Sequence, residues 1–237
     1  LGYGDYTYVL TKDGYVVTRG AFSLGSADAE KIKDGILTVT TAAFLPAGEN
    51  AWDGTAKTEP AKDADGVYQI GTASELAWFG ANGSKASAVL TADIDLAGYD
   101  WTPLDKFYGS FNGDGHTIRN LNADGRGFPE MGIFGYVDNG GIIRNVNLDA
   151  VTLRHSGATL GALVAVTYGS TSNCNVNARI ISTSEVAGGI VGQSVGKIEN
   201  CNFKGSVSGT GCIAGIAGLC YSTITDCTTE ANIELTG

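Results

Sequence analysis

Gly189-Ile190-Val191-Gly192 is the clearest copy of a four-residue element that returns along the chain. It appears as Gly132-Ile133-Phe134-Gly135, Ala162-Leu163-Val164-Ala165 and Gly215-Ile216-Ala217-Gly218. A second element follows each copy at a nearly constant distance: Asn145-Val146-Asn147, Asn173-Cys174-Asn175, Asn200-Cys201-Asn202 and the variant Asp226-Cys227-Thr228. Its central residues step by 28, 27 and 26. A period in this range marks stacked supersecondary units, each too small to bury its apolar face alone.

Aligned this way, the repeats place residues in columns. Ile133, Leu163, Ile190 and Ile216 form the first, and Ile143, Thr171, Ile198 and Ile224 the second. Val146, Cys174, Cys201 and Cys227 form the third, and Leu148, Val176, Phe203 and Thr229 the fourth. The third and fourth lie two residues apart, which is strand alternation, so the flanking Asn residues point outward or into a turn. No run of ten or more residues has the 3.6-residue period of a helix. The expected fold is all-β: a right-handed parallel β-helix, or solenoid, with three short strands per coil.

The five cysteines are an odd number, which weakens a full disulfide framework. A column that accepts Val or Cys is an apolar interior column, where free Cys packs as a small hydrophobe. Parallel neighbours in register also aim their sulfurs poorly at each other. Cys174, Cys201 and Cys227 are therefore expected as a reduced core ladder. Cys212 aligns with Val186 and Cys220 with Ser194, so Cys212 is expected in the core as well.

Upstream of the repeats, residues 1–48 read as a small β-rich segment or cap. Tyr6–Leu10 and Tyr15–Thr18 flank Lys12-Asp13-Gly14, a hairpin signal. Ser26 is placed to cap a helix over Ala27–Lys33, with a strand from Ile36 to Ala43. Residues 49–87 read as a linker, a short strand at Val67–Ile70 and a capping helix. Thr72 and Glu75 form a capping box ahead of Leu76, Trp78 and Phe79, and Gly80 with Asn82-Gly83 ends the helix. An apolar helix at this point would plug the open end of a solenoid, whose unpaired strands otherwise invite association. Residues 88–237 are the β-helix, with a loop at 122–131 before the repeats. The first residue, Leu1, reads as the start of a fragment or mature product, and further coils or another domain are expected beyond Gly237.

Glycine is abundant, 35 of 237 residues, without a collagen period, so it marks turns and close packing. Charged residues are only 17%, a profile suited to an extracellular β-rich protein. The net charge of −10 disfavours nucleic acid and anionic membranes as partners. No apolar run approaches the roughly 18 residues of a membrane span.

The Gly-Ile-x-Gly element resembles the GLUG repeat of bacterial surface proteins. Leu90–Leu96, Trp101-Thr102-Pro103-Leu104 and Gly109–Ile118 look like the module that leads into such repeats, and Tyr68–Phe79 is similar to their capping segment. The resemblance covers about residues 50–237, with Ala162 and Ala165 as departures where Gly is expected. It implies a pectin-lyase-like β-helix in a large secreted or wall-attached bacterial protein, an adhesin stalk or binding surface beside other domains of the same polypeptide. It carries no catalytic set that transfers to these residues.

The carboxylates are the first candidates for chemistry. Asp93 and Asp95 are two apart and share a face, and Asp114 lies in a turn. Such groups serve as acid and base in polysaccharide cleavage, or as oxygen ligands to Ca²⁺. The plainer expectation is that Asp93 and Asp95 face solvent between Ile94 and Leu96. Asp63-x-Asp65-Gly66 opens like a calcium loop but lacks the later ligands, so it reads as a turn. His116 and His155 are the only histidines and have no metal-ligand spacing. Arg119, Arg144, Arg154 and Arg179 do not share a column. Trp78 reads as core of the capping helix and Trp101 as packing in the lead-in module, rather than as carbohydrate platforms; Trp52 is a third candidate. The Asn columns read as ladders bonded along the solenoid axis. A flat Asn/Thr face can also meet an ordered glycan or ice surface, but these columns mix residue types.

The sequence thus assigns no catalytic, cofactor-binding or metal-ligating residue, with Ca²⁺ the one ion to consider. The expected function is a non-enzymatic stalk, scaffold or adhesive surface for glycan or protein, secreted or attached to a bacterial cell surface. The alternative is a carbohydrate-active β-helix enzyme using Asp93, Asp95 or Asp114.

Overall fold

A computed structural model describes residues 4–25, 32–33, 36–37, 51–124 and 127–236. The chain divides into two compact units, Leu1–Gly48 and Glu49–Gly237.

In the first unit, Gly4–Leu10 pairs antiparallel with Thr18–Leu24, and the rings of Tyr6 and Phe22 stack across the pair at 5.4 Å. The hairpin is present, but its return strand starts at Thr18 rather than Tyr15. The Tyr15 N–H instead closes the turn onto the Lys12 carbonyl at 3.1 Å, so the connection is longer than the Asp13-Gly14 signal implied. Most of the expected helix, including Ser26, lies outside the described residues. Its end, Ile32–Lys33, is a strand paired antiparallel with Ile36–Leu37. The Asp34-Gly35 dipeptide between them is a hairpin preference as much as a helix stop. The rest of the strand expected to reach Ala43 lies outside the described residues.

The second unit is a parallel β-solenoid with one helix. Its first complete coil is Glu130–Met131, Phe134–Val137, Ile142–Arg144 and Asn147–His155. The second is Thr159–Gly161, Val164–Thr167, Ser170–Ser172 and Asn175–Ser182. The third is Val186–Gly188, Val191–Ser194, Ile198–Glu199 and Asn202–Gly209, and the fourth Cys212–Ala214, Ala217–Cys220, Ile224–Thr225 and Thr228–Leu235. Each coil therefore has four strands, not the three expected. The reason is that Gly-Ile-x-Gly is itself a corner. Gly189-Ile190 is the bend between Val186–Gly188 and Val191–Ser194, so what reads as one strand belongs to two sheets.

The columns read from the repeat are observed registers. Ile143, Thr171, Ile198 and Ile224 pair in sequence, as do Leu148, Val176, Phe203 and Thr229. In the first three coils all four columns are buried. Among the described residues the fourth coil pairs with the third alone. Ile224 there is 41% exposed, and Cys212, though in register with buried Val186, is exposed rather than core. All five cysteines are free; Cys174 and Cys201 are buried and Cys227 half-buried.

The second corner explains the Asn-x-Asn element. Asn145, Asn173, Asn200 and Asp226 have φ of 56°, 55°, 50° and 54°. Asn and Asp tolerate this left-handed region best among residues with a side chain, so the chain turns from the third sheet into the long-strand sheet at their cost of least strain.

At the other end, Tyr68–Ile70 pairs parallel with Ala88–Leu90, which pairs with Ser110–Asn112 and so joins the sheet of Ile142–Arg144. Ile94–Asp95 and Thr117–Arg119 likewise lead into the long-strand sheet. The helix Ala73–Asn82 starts at Thr72 with the expected capping box and runs through Gly80. Its Leu76 and Phe79 are fully buried, and Phe79 meets Phe107 and Phe111 at 6.0 and 6.1 Å, so the helix covers the apolar end of the stack. The loop expected at 122–131 is shorter, because Asn122–Asp124 and Glu130–Met131 each join a neighbouring coil.

Candidate functional site

The long strands put alternate side chains outward in two rows. The first is Thr117, Asn147, Asn175, Asn202 and Thr228, matched coil by coil. The second is Arg119, Asp149, Asn177, Lys204 and Glu230. A groove of about 450 Å³ lies over them.

The rows are tied along the axis. Asn175 Nδ2 donates to Asn147 Oδ1, and Asn202 Nδ2 to Asn175 Oδ1, each at 2.8 Å. Asn147 donates in turn to the Gly115 carbonyl at 2.6 Å, and Asn177 to Asp149 Oδ1 at 2.8 Å. A parallel ladder follows the corner: Asn145 donates to Asn112, Asn173 to Asn145 and Asn200 to Asn173, at 2.8, 3.1 and 2.8 Å. Each interior ladder amide uses one N–H and one acceptor position in the ladder. One N–H and further acceptor capacity remain per Asn, repeating at the strand spacing of about 4.8 Å.

The candidate residues fall into different places. Asp93 lies beside Thr117 at one end of the first row, where its carboxylate accepts from the Thr117 N–H at 3.0 Å and from Arg119 Nη2 at 2.8 Å. His116 Nδ1 is 3.4 Å from the same carboxylate. The Thr117 N–H, then His116 and Arg119, hold Asp93 below the usual carboxylate range. That arrangement keeps it ionised, which suits an ion-pair member and opposes a general acid near neutral pH. Asp95 does not share its exposed face. It is buried, and its Oδ1 accepts from the Ala97 N–H and Asn120 Nδ2, both at 2.8 Å, which braces the left-handed bends at Ala97 and Asn120. The alternation argument failed here because the strand Ile94–Asp95 is two residues long and the chain bends directly after it.

Asp114 is exposed in a left-handed turn. Asp63 accepts from the Asp65 and Val67 N–H groups and from Gln69 Nε2, so its carboxylate closes a turn. His155 ends the strand Asn147–His155; it is buried, with Nε2 donating to the Pro129 carbonyl at 3.1 Å. Among the described residues no three His, Cys, Asp or Glu side chains gather closely enough to hold a metal ion. Arg144 and Arg154 are in register with Ser172 and Ile181, away from Asp93. Trp52 and Trp101 are buried edge to face at 5.9 Å, and their indole N–H groups donate to the Ala56 and Ile133 carbonyls. Trp78 is half-buried against Tyr68.

Sequence reasoning missed two features. The second groove row, Asp149, Asn177, Lys204 and Glu230, has no repeated residue type to betray it, only its spacing two residues past the Asn row. The other is a set of exposed tyrosines, Tyr108, Tyr168 and Tyr221, at one position of alternate coils.

Comparison with known proteins places these observations. Residues 183–208, which hold most of the third coil, match the GLUG motif family. The resemblance read from the sequence is thus met in the best-formed repeat. Halomucin of Haloquadratum walsbyi is 30% identical over 115 residues, covering 42% of this chain and 1% of that protein. A candidate Gly-rich membrane protein of Evansella cellulosilytica is 32% identical over 93 residues, covering 37% of this chain and 11% of its own length. The chain therefore spans a small part of these curated relatives. The crystal structure of a candidate immunoglobulin A1 protease from Bacteroides ovatus superposes with a TM-score of 0.51 at 22% identity, over 74% of this chain and 70% of that one. At that identity the likeness shows a shared fold alone. No helix among the described residues is long and apolar enough to cross a membrane.

Proposed function

We propose that this chain is a non-enzymatic extracellular module of a larger surface protein, a stiff stalk or scaffold that presents an adhesive face to glycan or protein. The observation that carries this reading is the pair of axial Asn ladders, which commits the most regular polar side chains to holding coil on coil. The carboxylates support it, since Asp63, Asp93 and Asp95 are each engaged by backbone N–H groups. The names of the relatives fit a surface setting.

A polysaccharide-cleaving enzyme is the second reading, favoured by the placing of Asp93, His116 and Arg119 at the end of an open groove. Asp149 is the nearest other groove carboxylate in register, two strands across and two residues along from Asp93. Strand geometry puts their Cα atoms about 12 Å apart. A glycosidase holds its paired carboxyl groups roughly 5–9.5 Å apart, and Asp149 is instead committed to the Asn177 amide in the ladder.

The experiment is a glycan array and immobilised-protein screen with parallel end-group assays, run with and without Ca²⁺. Binding without change in the ligand supports the module. Turnover of any polysaccharide that is lost in Asp93→Asn establishes the enzyme instead.

A further inference from the structure

One corner of the solenoid is unlike the rest. Tyr108, Asp138, Tyr168, Val195 and Tyr221 each follow a strand residue that is bridged or paired to the same position of the next coil, so they form one axial row. The row is exposed: Tyr108 and Tyr168 are each 42% exposed, Val195 37% and Tyr221 68%. Exposed apolar side chains scattered singly need no explanation, but four of them in one axial row of five do. Tyr136 lies against Tyr168 with ring centroids 5.5 Å apart and planes 32° from parallel, making a double ledge.

The ledge is amphipathic. The Asp138 carboxylate beside Tyr108 pushes its hydroxyl up, and burial, with Tyr168 alongside, pushes the Tyr136 hydroxyl up to about 12. Beside it runs an open groove of about 370 Å³ whose floor is bare backbone at Gly141, Gly169 and Gly196. These glycines have their own cause, since a Cβ at Gly169 or Gly196 would strike the carbonyl of the coil before. The result is still a shallow channel, with Tyr168 and Ile142 as its large apolar lining side chains.

We propose that this tyrosine corner binds a neutral polysaccharide strand lying along the solenoid axis. Ring faces accept the C–H faces of sugars, while tyrosine hydroxyls, Asp138 and the backbone of the groove meet sugar hydroxyls, the mix of apolar wall and few placed polar groups that ligand sites use. Charge selects against anionic polymers. Asp138 faces the ledge, and Lys197, the cation at the groove, is paired to Glu199 at 2.8 Å. The rings of Tyr108, Tyr168 and Tyr221 recur at every second coil, twice the strand spacing of about 4.8 Å, which suits a repeating chain better than a compact ligand.

The proposal deepens the adhesive reading above and rests on it. The test is affinity electrophoresis of the full chain in gels containing β-glucan, mannan, xylan, dextran or polygalacturonate. The wild type is expected to be retarded by at least one neutral polymer and not by polygalacturonate. Tyr168→Ala and Tyr221→Ala should each weaken retardation at least tenfold, Tyr168→Phe should stay within about threefold because the ring remains, and Asn177→Ala in the other groove should have no effect. Unaltered thermal midpoints show that the variants are folded. Retardation by polygalacturonate alone, by no neutral polymer, or equally in wild type and Tyr168→Ala overturns the proposal. Loss in Asn177→Ala with no loss in the tyrosine variants also overturns it while leaving the adhesive reading intact. Cleavage of the polymer would instead overturn the adhesive reading.

Discussion

Asn173 does two jobs that substitution can separate. Its backbone sits at φ +55°, and its side chain is the middle rung of a ladder, donating to Asn145 at 3.1 Å and accepting from Asn200 at 2.8 Å. Asn173→Ala places a residue that cannot bond locally in the left-handed region, at about 1 kcal/mol. It also removes two hydrogen bonds at an exposed corner, about 0.5 kcal/mol each at the low end of the usual range. The expected loss is about 2 kcal/mol. Asn173→Asp keeps the backbone preference and the acceptor for Asn200 but loses the donor to Asn145, so its loss should be about 0.5 kcal/mol. The ladder adds a coupling. Once Asn173 is Ala, Asn200 has lost its acceptor, so Asn200→Ala should cost about 0.5 kcal/mol less in that background than alone. Urea unfolding followed by circular dichroism measures the wild type, the three single variants and the double variant. A loss under about 0.5 kcal/mol for Asn173→Ala, or equal losses for the Ala and Asp variants, would refute the reasoning.

Other positions make separate claims. Thr171 is fully buried between Ile143 and Ile198, and its Oγ1 has no hydrogen-bond partner; Thr171→Val should raise stability by about 1 kcal/mol in the same urea assay. Cys201 occupies a column that opens with Val146, so Cys201→Val should change stability by less than about 1.5 kcal/mol. In a timed thiol titration at pH 8, exposed Cys212 and Cys220 should react first. Cys174 should react last, since its hydrogen bond to Cys201 and its burial push its thiol up, and five thiols should be counted after unfolding. Asp93 is held below its ordinary value, so its contribution is present above about pH 4 and is lost as pH falls through the lower folded value. The fall in thermal midpoint between pH 7 and pH 2.5 should therefore be smaller in Asp93→Asn than in the wild type.

The fold was legible because its physics is periodic. A residue that must be apolar in one coil must be apolar at the same place in the next, so the Ile143, Leu148 and Val146 columns could be read without any structure. The capping box at Thr72 and Glu75 was legible for a local reason, since its hydrogen bonds span three residues. The number of strands was not, because Gly189-Ile190 bends the chain between two sheets without any charge or proline to mark the break. Asp95 was misread for a similar reason: a two-residue strand is too short for alternation to persist. Cys212 was misread because register says which residues are neighbours, while burial also needs a coil on both sides. The groove's second row and the tyrosine row escaped because they vary in residue type from coil to coil. Only the pairing of strands shows that Asp138, Tyr168 and Tyr221 stand in one line.

The central claim is that the regular repeat is a scaffold held coil to coil, each coil depending on its neighbours. Hydrogen–deuterium exchange of the intact chain, read by mass spectrometry on peptides from each coil, tests it most directly. Long-strand amides of Asn175–Ser182, with a paired coil on both sides, should exchange slowest. Those of Thr228–Leu235, paired on one side only, should exchange faster by orders of magnitude. Uniform exchange across the four coils, or faster exchange in Asn175–Ser182 than in Thr228–Leu235, would contradict the account.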